Sequence, residues 1–186
     1  MTTTTPIRTS IPTGTWSVDP AHSKVGFAVK HMGVATVRGE FNEFEGTLEI
    51  GDDPAEVRAY GTVKAASVDT NQAQRDEHLR SPDFFNSEQH PEISFESKQL
   101  EPVGEDSYRI VGDLSLNGVT REIELEAELG GTEIGPQGEE RIGLEVTGQL
   151  SRRDYEVKFD AALGSGNAVV ADKVNLVLDI AAVKQS

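Results

Sequence analysis

The chain carries four histidines, His22, His31, His78 and His90, and no cysteine. They sit in four different local contexts, and none shows the i, i+4 spacing with which a helix presents two imidazoles to one zinc ion. Without thiolates to complete a ligand set, the pattern predicts no metal site. Serine, histidine and aspartate all occur, but no Gly-x-Ser-x-Gly elbow is present, and Ser23 beside His22 is adjacency without triad geometry. The 32 acidic residues guarantee chance carboxylate pairs, so pairing alone does not point to glycoside hydrolysis. Neither a P-loop nor a Gly-x-Gly-x-x-Gly turn occurs. These residue types therefore predict no catalytic centre and no cofactor.

Polar function is densest in Arg75-Asp76-Glu77-His78-Leu79-Arg80. On a helix, Asp76 and Arg80 stand one turn apart and can pair, while Arg75 and Leu79 share a face. Two roles stay open for this segment. Ion pairs can pin the helix to a larger body, or its cations and imidazole can meet a polar headgroup. Phe84 and Phe85, just behind it, read as core.

The elements that must carry these residues are strands. Val25, Phe27 and Val29 share one face, and Phe44, Gly46, Leu48 and Ile50 the next, before the Gly51 to Pro54 turn. Tyr108, Ile110, Gly112, Leu114 and Leu116 alternate up to Asn117-Gly118, a hairpin turn favouring positive φ. Then Ile123, Leu125, Ala127 and Leu129 oppose Glu122, Glu124, Glu126 and Glu128. One face is buried and the other is wet. Ile142 to Leu150 and Val174 to Ala182 repeat the alternation.

Two stretches break it: Asn71 to Phe85, with a helix predicted over Gln72–Ser81, and Arg152 to Gly166. Glycines inside strands (Gly39, Gly46, Gly112, Gly143, Gly148) suggest the bends and bulges that let a sheet curl shut. The expectation is one all-β domain, a sandwich or a barrel with the barrel favoured, of about eight antiparallel strands with one short helical insertion. Residues 1–13 form a flexible tail ahead of a barrel domain at 14–184.

Composition narrows the partners. A formal net charge of −15 repels phosphate backbones and anionic headgroups, which argues against nucleic acid and against direct membrane insertion. No stretch approaches the ~20 apolar residues of a spanning helix, and the opening lacks the apolar centre of a secretory signal. A cytoplasmic location is expected.

Several multi-residue motifs, in fixed order, resemble the YceI-like family. They are Trp16-Ser17-Val18-Asp19-Pro20-Ala21-His22-Ser23, Phe27 to Gly33, Gly39-Glu40-Phe41 with Phe44-Glu45-Gly46, Val68-Asp69-Thr70, Arg75 to Phe85, His90-Pro91 with Phe95-Glu96-Ser97, and Gly112 to Arg121. The match runs from about Gly14 to Val183. One departure is Glu156, where the family usually has glycine.

The resemblance implies a lipocalin-like barrel binding, storing or transporting a long isoprenoid or similar amphiphilic lipid, usually as a homodimer, without catalysis. Each buried methylene is worth about 0.8 kcal/mol, so a dry tunnel suffices for affinity. Phe27, Val29, Phe41, Phe44 and Phe95 are its expected lining. His31, Arg75, His78 and Arg121 are headgroup candidates on their chemistry. Two alternatives are an enzyme using His31 or His78 on an apolar substrate, and a stress-related interaction protein whose barrel is filled. Strand Gly and Ala count against the filled barrel.

Overall fold

A computed structural model describes residues 11–53, 56–159 and 169–185. Its strands are β1 (Gly14–Val18), β2 (Lys24–His31), β3 (Ala35–Phe41), β4 (Phe44–Ile50), β5 (Arg58–Lys64), β6 (Val68–Asp69), β7 (Glu92–Pro102), β8 (Ser107–Leu116), β9 (Val119–Ile134), β10 (Glu140–Ser151) and β11 (Val170–Lys184). One α-helix among the described residues, α1 (Ala73–Arg80), joins β6 to β7.

The sheet closes as an antiparallel barrel of eight spans. β1 and β2 are two halves of one span, interrupted by a 3-10 turn at Pro20–His22, where the Asp19 carboxylate accepts from the Ala21 N–H at 3.0 Å. β3 and β4 form the return span, split at Asn42 and Glu43. β5 with the short β6 forms the third, and β7 to β11 complete the round. Each span pairs with its neighbours, and β11 closes the circle on β1 and β2. The β2–β3 tip, α1, Asn117-Gly118 and residues 152–159 gather at one end, here the mouth. Residues 51–53, 56–57, 103–106 and 135–139 gather at the other, the base.

The alternation of β9 is borne out by burial: Leu125 and Ala127 are buried, and Glu122, Glu124, Glu126 and Glu128 are exposed. Asn117 and Gly118 take the positive φ angles, 54° and 76°, that a two-residue hairpin demands. The base is sealed by Trp16, Tyr108, Ile142 and Ala182, all buried. Ile11 is buried in the same cluster, and Trp16 Nε1 donates to the Pro12 carbonyl at 3.0 Å. Packing therefore reaches back to Ile11, past the Gly14 boundary expected from the sequence. Residues 1–10 lie outside the described chain.

The strand glycines do more than mark bulges. Of the five, Gly143 adjoins one register shift and Gly112 faces Ser97 at another, whereas Gly39, Gly46 and Gly148 adjoin none. A Cβ on Gly39 would stand 2.4 Å from Phe27 Cζ, one on Gly112 2.6 Å from Phe95 Cζ, and one on Gly148 2.4 Å from Leu125 Cδ2. Large inward side chains lie flat on the wall where a neighbouring strand has no side chain. The rings are thus kept from crossing the interior.

Candidate apolar lumen and its mouth

A cavity of about 750 Å³ runs inside the barrel, with walls of side chains from nearly every strand. Its lining extends from Ala182, Ala127 and Val146 near the base to Gln72, Arg75, His78 and Phe159 at the mouth. Val174, Leu176, Leu178 and Ile180 face inward on β11, yet none is fully buried. In a solid core they would be; their uncovered surface faces the lumen. The filled-barrel expectation does not hold.

All five residues expected to line a tunnel, Phe27, Val29, Phe41, Phe44 and Phe95, line this cavity. So do His31, Arg75 and His78. Arg121 does not. It lies near the start of β9 opposite Leu114, on the parity of Ile123 and Leu125, yet it is exposed, and its Nε donates to the Asp154 carbonyl at 3.2 Å, bracing the 152–155 turn. Arg121 therefore stands at the rim and outside the lumen lining, although its position in β9 is that of the inner face.

Helix α1 covers part of the mouth. It spans Ala73–Arg80, inside the expected Gln72–Ser81, with the Gln72 side chain accepting from the Arg75 N–H at 2.8 Å as its N-cap. The expected Asp76–Arg80 ion pair is absent. Asp76 is buried and turns inward, where one carboxylate oxygen accepts from the Thr70 N–H at 2.8 Å and the Thr70 hydroxyl at 2.5 Å. A surface ion pair is worth little, whereas a buried backbone N–H left unmet is costly, so Asp76 serves Thr70. Arg75 joins this knot through Nε to Thr70 Oγ1 and Nη2 to Thr70 O, both at 2.7 Å.

Two three-ring clusters hold the cover down. Phe85 packs on Phe41 and Phe27, with centroids 5.5 and 6.4 Å away. His78 meets Phe84 and Phe159 edge-on, each at 5.0 Å, while its Nε2 contacts Asp83 Oδ2 at 2.9 Å. The four histidines remain dispersed. His22 contacts Asp19 and His90 lies under Gly118, while His31 and His78 reach the lumen. Among the described residues no group of three or more His, Asp or Glu is arranged to hold a metal ion.

The sequence reading missed Arg152 and Phe159 as lining residues. Arg152 is buried, donating to the carbonyls of Val157, Val170 and Ala171 at 2.8 to 3.0 Å, which ties the end of β10 to the start of β11. A paired Arg-Arg in a segment without alternation carries no sign of which one turns inward. Beside it, Glu156 sits at φ 59°, the left-handed conformation that a glycine adopts without strain, with its carboxylate on Lys158. The departure from the family's usual glycine therefore leaves the turn itself in place.

Tyr155 in this turn is 1% exposed, and its hydroxyl has no hydrogen-bond partner among the described residues. Burial pushes its pKa up to about 12. The folded value exceeds the unfolded one, near 10, so the contribution to stability is whole below pH 10 and is lost as pH rises through 12. Tyr155→Phe should flatten that alkaline loss in denaturant titrations. It should also raise stability by about 1 kcal/mol at neutral pH, because an unmet buried hydroxyl is removed. An unchanged alkaline limb would assign the loss to other groups.

The comparisons with known proteins agree with this architecture. The family model described as "YceI-like domain" matches residues 16–182. Protein YceI of Escherichia coli O17:K52:H18 is 37% identical over 165 residues, covering 88% of this chain and 83% of that protein. The crystal structure of the Campylobacter jejuni YCEI protein is 30% identical with a TM-score of 0.71, over 90% of this chain and 96% of the other. A polyisoprenoid binding domain from Saccharophagus degradans shares the fold at 17% identity, with a TM-score of 0.67 over 91% and 98% of the two chains. With its motifs, its closed eight-span barrel and these matches in agreement, the chain belongs to the YceI-like family.

Proposed function

We propose that this protein binds, stores or carries one long-chain isoprenoid or similar amphiphilic lipid, with the tail in the lumen and the polar end at the mouth. The observation that carries the reading is the lumen itself: about 750 Å³, apolar from base to rim, inside a family fold shared with a polyisoprenoid binding domain. Phe27, Val29, Phe41, Phe44 and Phe95 contact the tail. His31, Arg75 and His78 offer donors to the head, since they are among the ionisable side chains that line the lumen at its mouth. Binding of this kind needs burial and one or two oriented polar contacts.

The test is organic extraction, with native mass spectrometry, of the protein purified from its own host. One amphiphilic lipid per barrel is expected. An empty barrel that also fails to take up a fluorescent isoprenoid analogue would end this reading.

A further inference from the structure

We propose that the tip of the β2–β3 hairpin docks the mouth of the barrel on an anionic lipid bilayer. As a route for loading the lumen, this rests on the functional reading above; as a surface, it stands on the hairpin alone. The tip is Met32-Gly33-Val34. Val34 is 84% exposed and Met32 42%, on a chain whose charge otherwise favours water. Met32 and Gly33 take φ angles of 56° and 72°. Two-residue turns of this kind favour asparagine, aspartate or glycine first, so an exposed methionine there sits in a strained position. The Met32 N–H donates to the Val169 carbonyl at 2.8 Å, which fixes the tip beside the rim.

Cations flank it. Lys30 faces Thr36 and Arg38 faces Ala28, so the two stand diagonally on the outer face of the hairpin. Both are exposed, and neither has an ion-pair partner among the described residues. On β3 the next carboxylate of that face, Glu40, sits lower and is registered with Asp69, while Asp172 on the adjoining β11 is engaged by Ser151 and Arg153. The acidic row of β9 lies three strand spacings away, roughly 14 Å, beyond a Debye length of about 8–10 Å. A leaflet touching the tip therefore meets Lys30 and Arg38 beside it; the exposed carboxylates of the same end, Glu77, Asp83, Asp154 and Glu156, stand on α1, the loop after it and the 152–159 turn, with His78 against Asp83 and Lys158 against Glu156.

The base offers a contrast. Val103 and Ile134 are also exposed at hairpin tips, but Glu101, Glu105, Asp106 and Glu133 surround them. Among the described residues, the mouth, unlike the base, sets exposed apolar side chains beside cations without an ion-pair partner. The hairpin also stands clear of the wall, because among the described residues Ala35 to Gly39 have β2 on one side and no strand on the other; β6 reaches only Glu40 and Phe41. The lumen is lined there by Val29, His31 and Val37, next to Gln72 and Gln74 of the helical cover.

The experiment is co-sedimentation of the whole protein with phosphatidylcholine vesicles, with and without phosphatidylglycerol, at low and high salt. Binding is expected to the phosphatidylglycerol vesicles at low salt and to be lost at high salt. Val34→Asp, and Lys30→Glu with Arg38→Glu, should each weaken it roughly tenfold or more. Val103→Asp at the base should leave it unchanged. Melting temperatures should match across these surface variants. Absence of vesicle binding, an undiminished Val34→Asp, or an equal loss with Val103→Asp would overturn the proposal. A lipid-free extract beside intact vesicle binding would instead overturn the functional reading and leave the docking surface standing.

Discussion

Val174→Trp is expected to abolish lipid retention while the barrel stays folded. Val174 lies on β11 between Val29 of β2 and Leu150 of β10, facing inward with part of its surface open to the lumen. An indole there grows into empty space, so the strain of overpacking a filled core does not arise. It takes volume that the ligand tail would occupy. Each methylene excluded costs about 0.8 kcal/mol, so losing four costs about 3 kcal/mol, more than a hundredfold in affinity. Binding of a fluorescent isoprenoid analogue, measured beside the melting temperature, separates blockage from unfolding. Retention equal to wild type with an unchanged melting temperature would mean that the tail does not pass Val174.

Trp16→Ala is expected to cost about 4 kcal/mol, the largest single loss in the protein. Trp16 is among the few large side chains that are essentially fully buried. It sits on β1, opposite Leu48 of β4 and Lys184 of β11, where the barrel closes on itself, and it holds the Pro12 carbonyl through its indole N–H. No ligand can compensate from the base side, because the lumen lining begins at Ala182 and Val18 and does not include Trp16. For a chain of this length such a loss lowers the melting temperature by roughly 12 °C, read by calorimetry. A drop of only one or two degrees would show that the base can collapse around the vacancy.

The local period of the chain was enough to determine that it folds as antiparallel strands, each with a buried and a wet face. In β9 the alternation of apolar residues with glutamates admits only a strand with one wet and one buried face, and β9 spans Val119–Ile134. Asn117-Gly118 specifies its hairpin through backbone sterics at two residues. Parity likewise placed Phe27, Val29, Phe41, Phe44 and Phe95 on the inner wall, since side-chain direction in a strand depends on nothing farther away than the next residue.

Only tertiary structure decided how the polar groups are used. Asp76 could pair with Arg80 by helical spacing, but Thr70, brought alongside by β6, presents a buried N–H with greater need. Arg121 and Arg152 read alike in sequence; one ends exposed at the rim, on a single carbonyl, and the other buried, among three. The glycines of β3 and β8 signalled curvature, yet their use appears only once Phe27 and Phe95 arrive from neighbouring strands to lie over them. Composition likewise summed the charge to −15, but could not place Lys30 and Arg38 together at the mouth and the β9 carboxylates on another wall. Backbone periodicity is local and survives in sequence. The partner of a buried polar group, and the field at a given patch of surface, depend on which distant segments the closed barrel brings within a few ångströms.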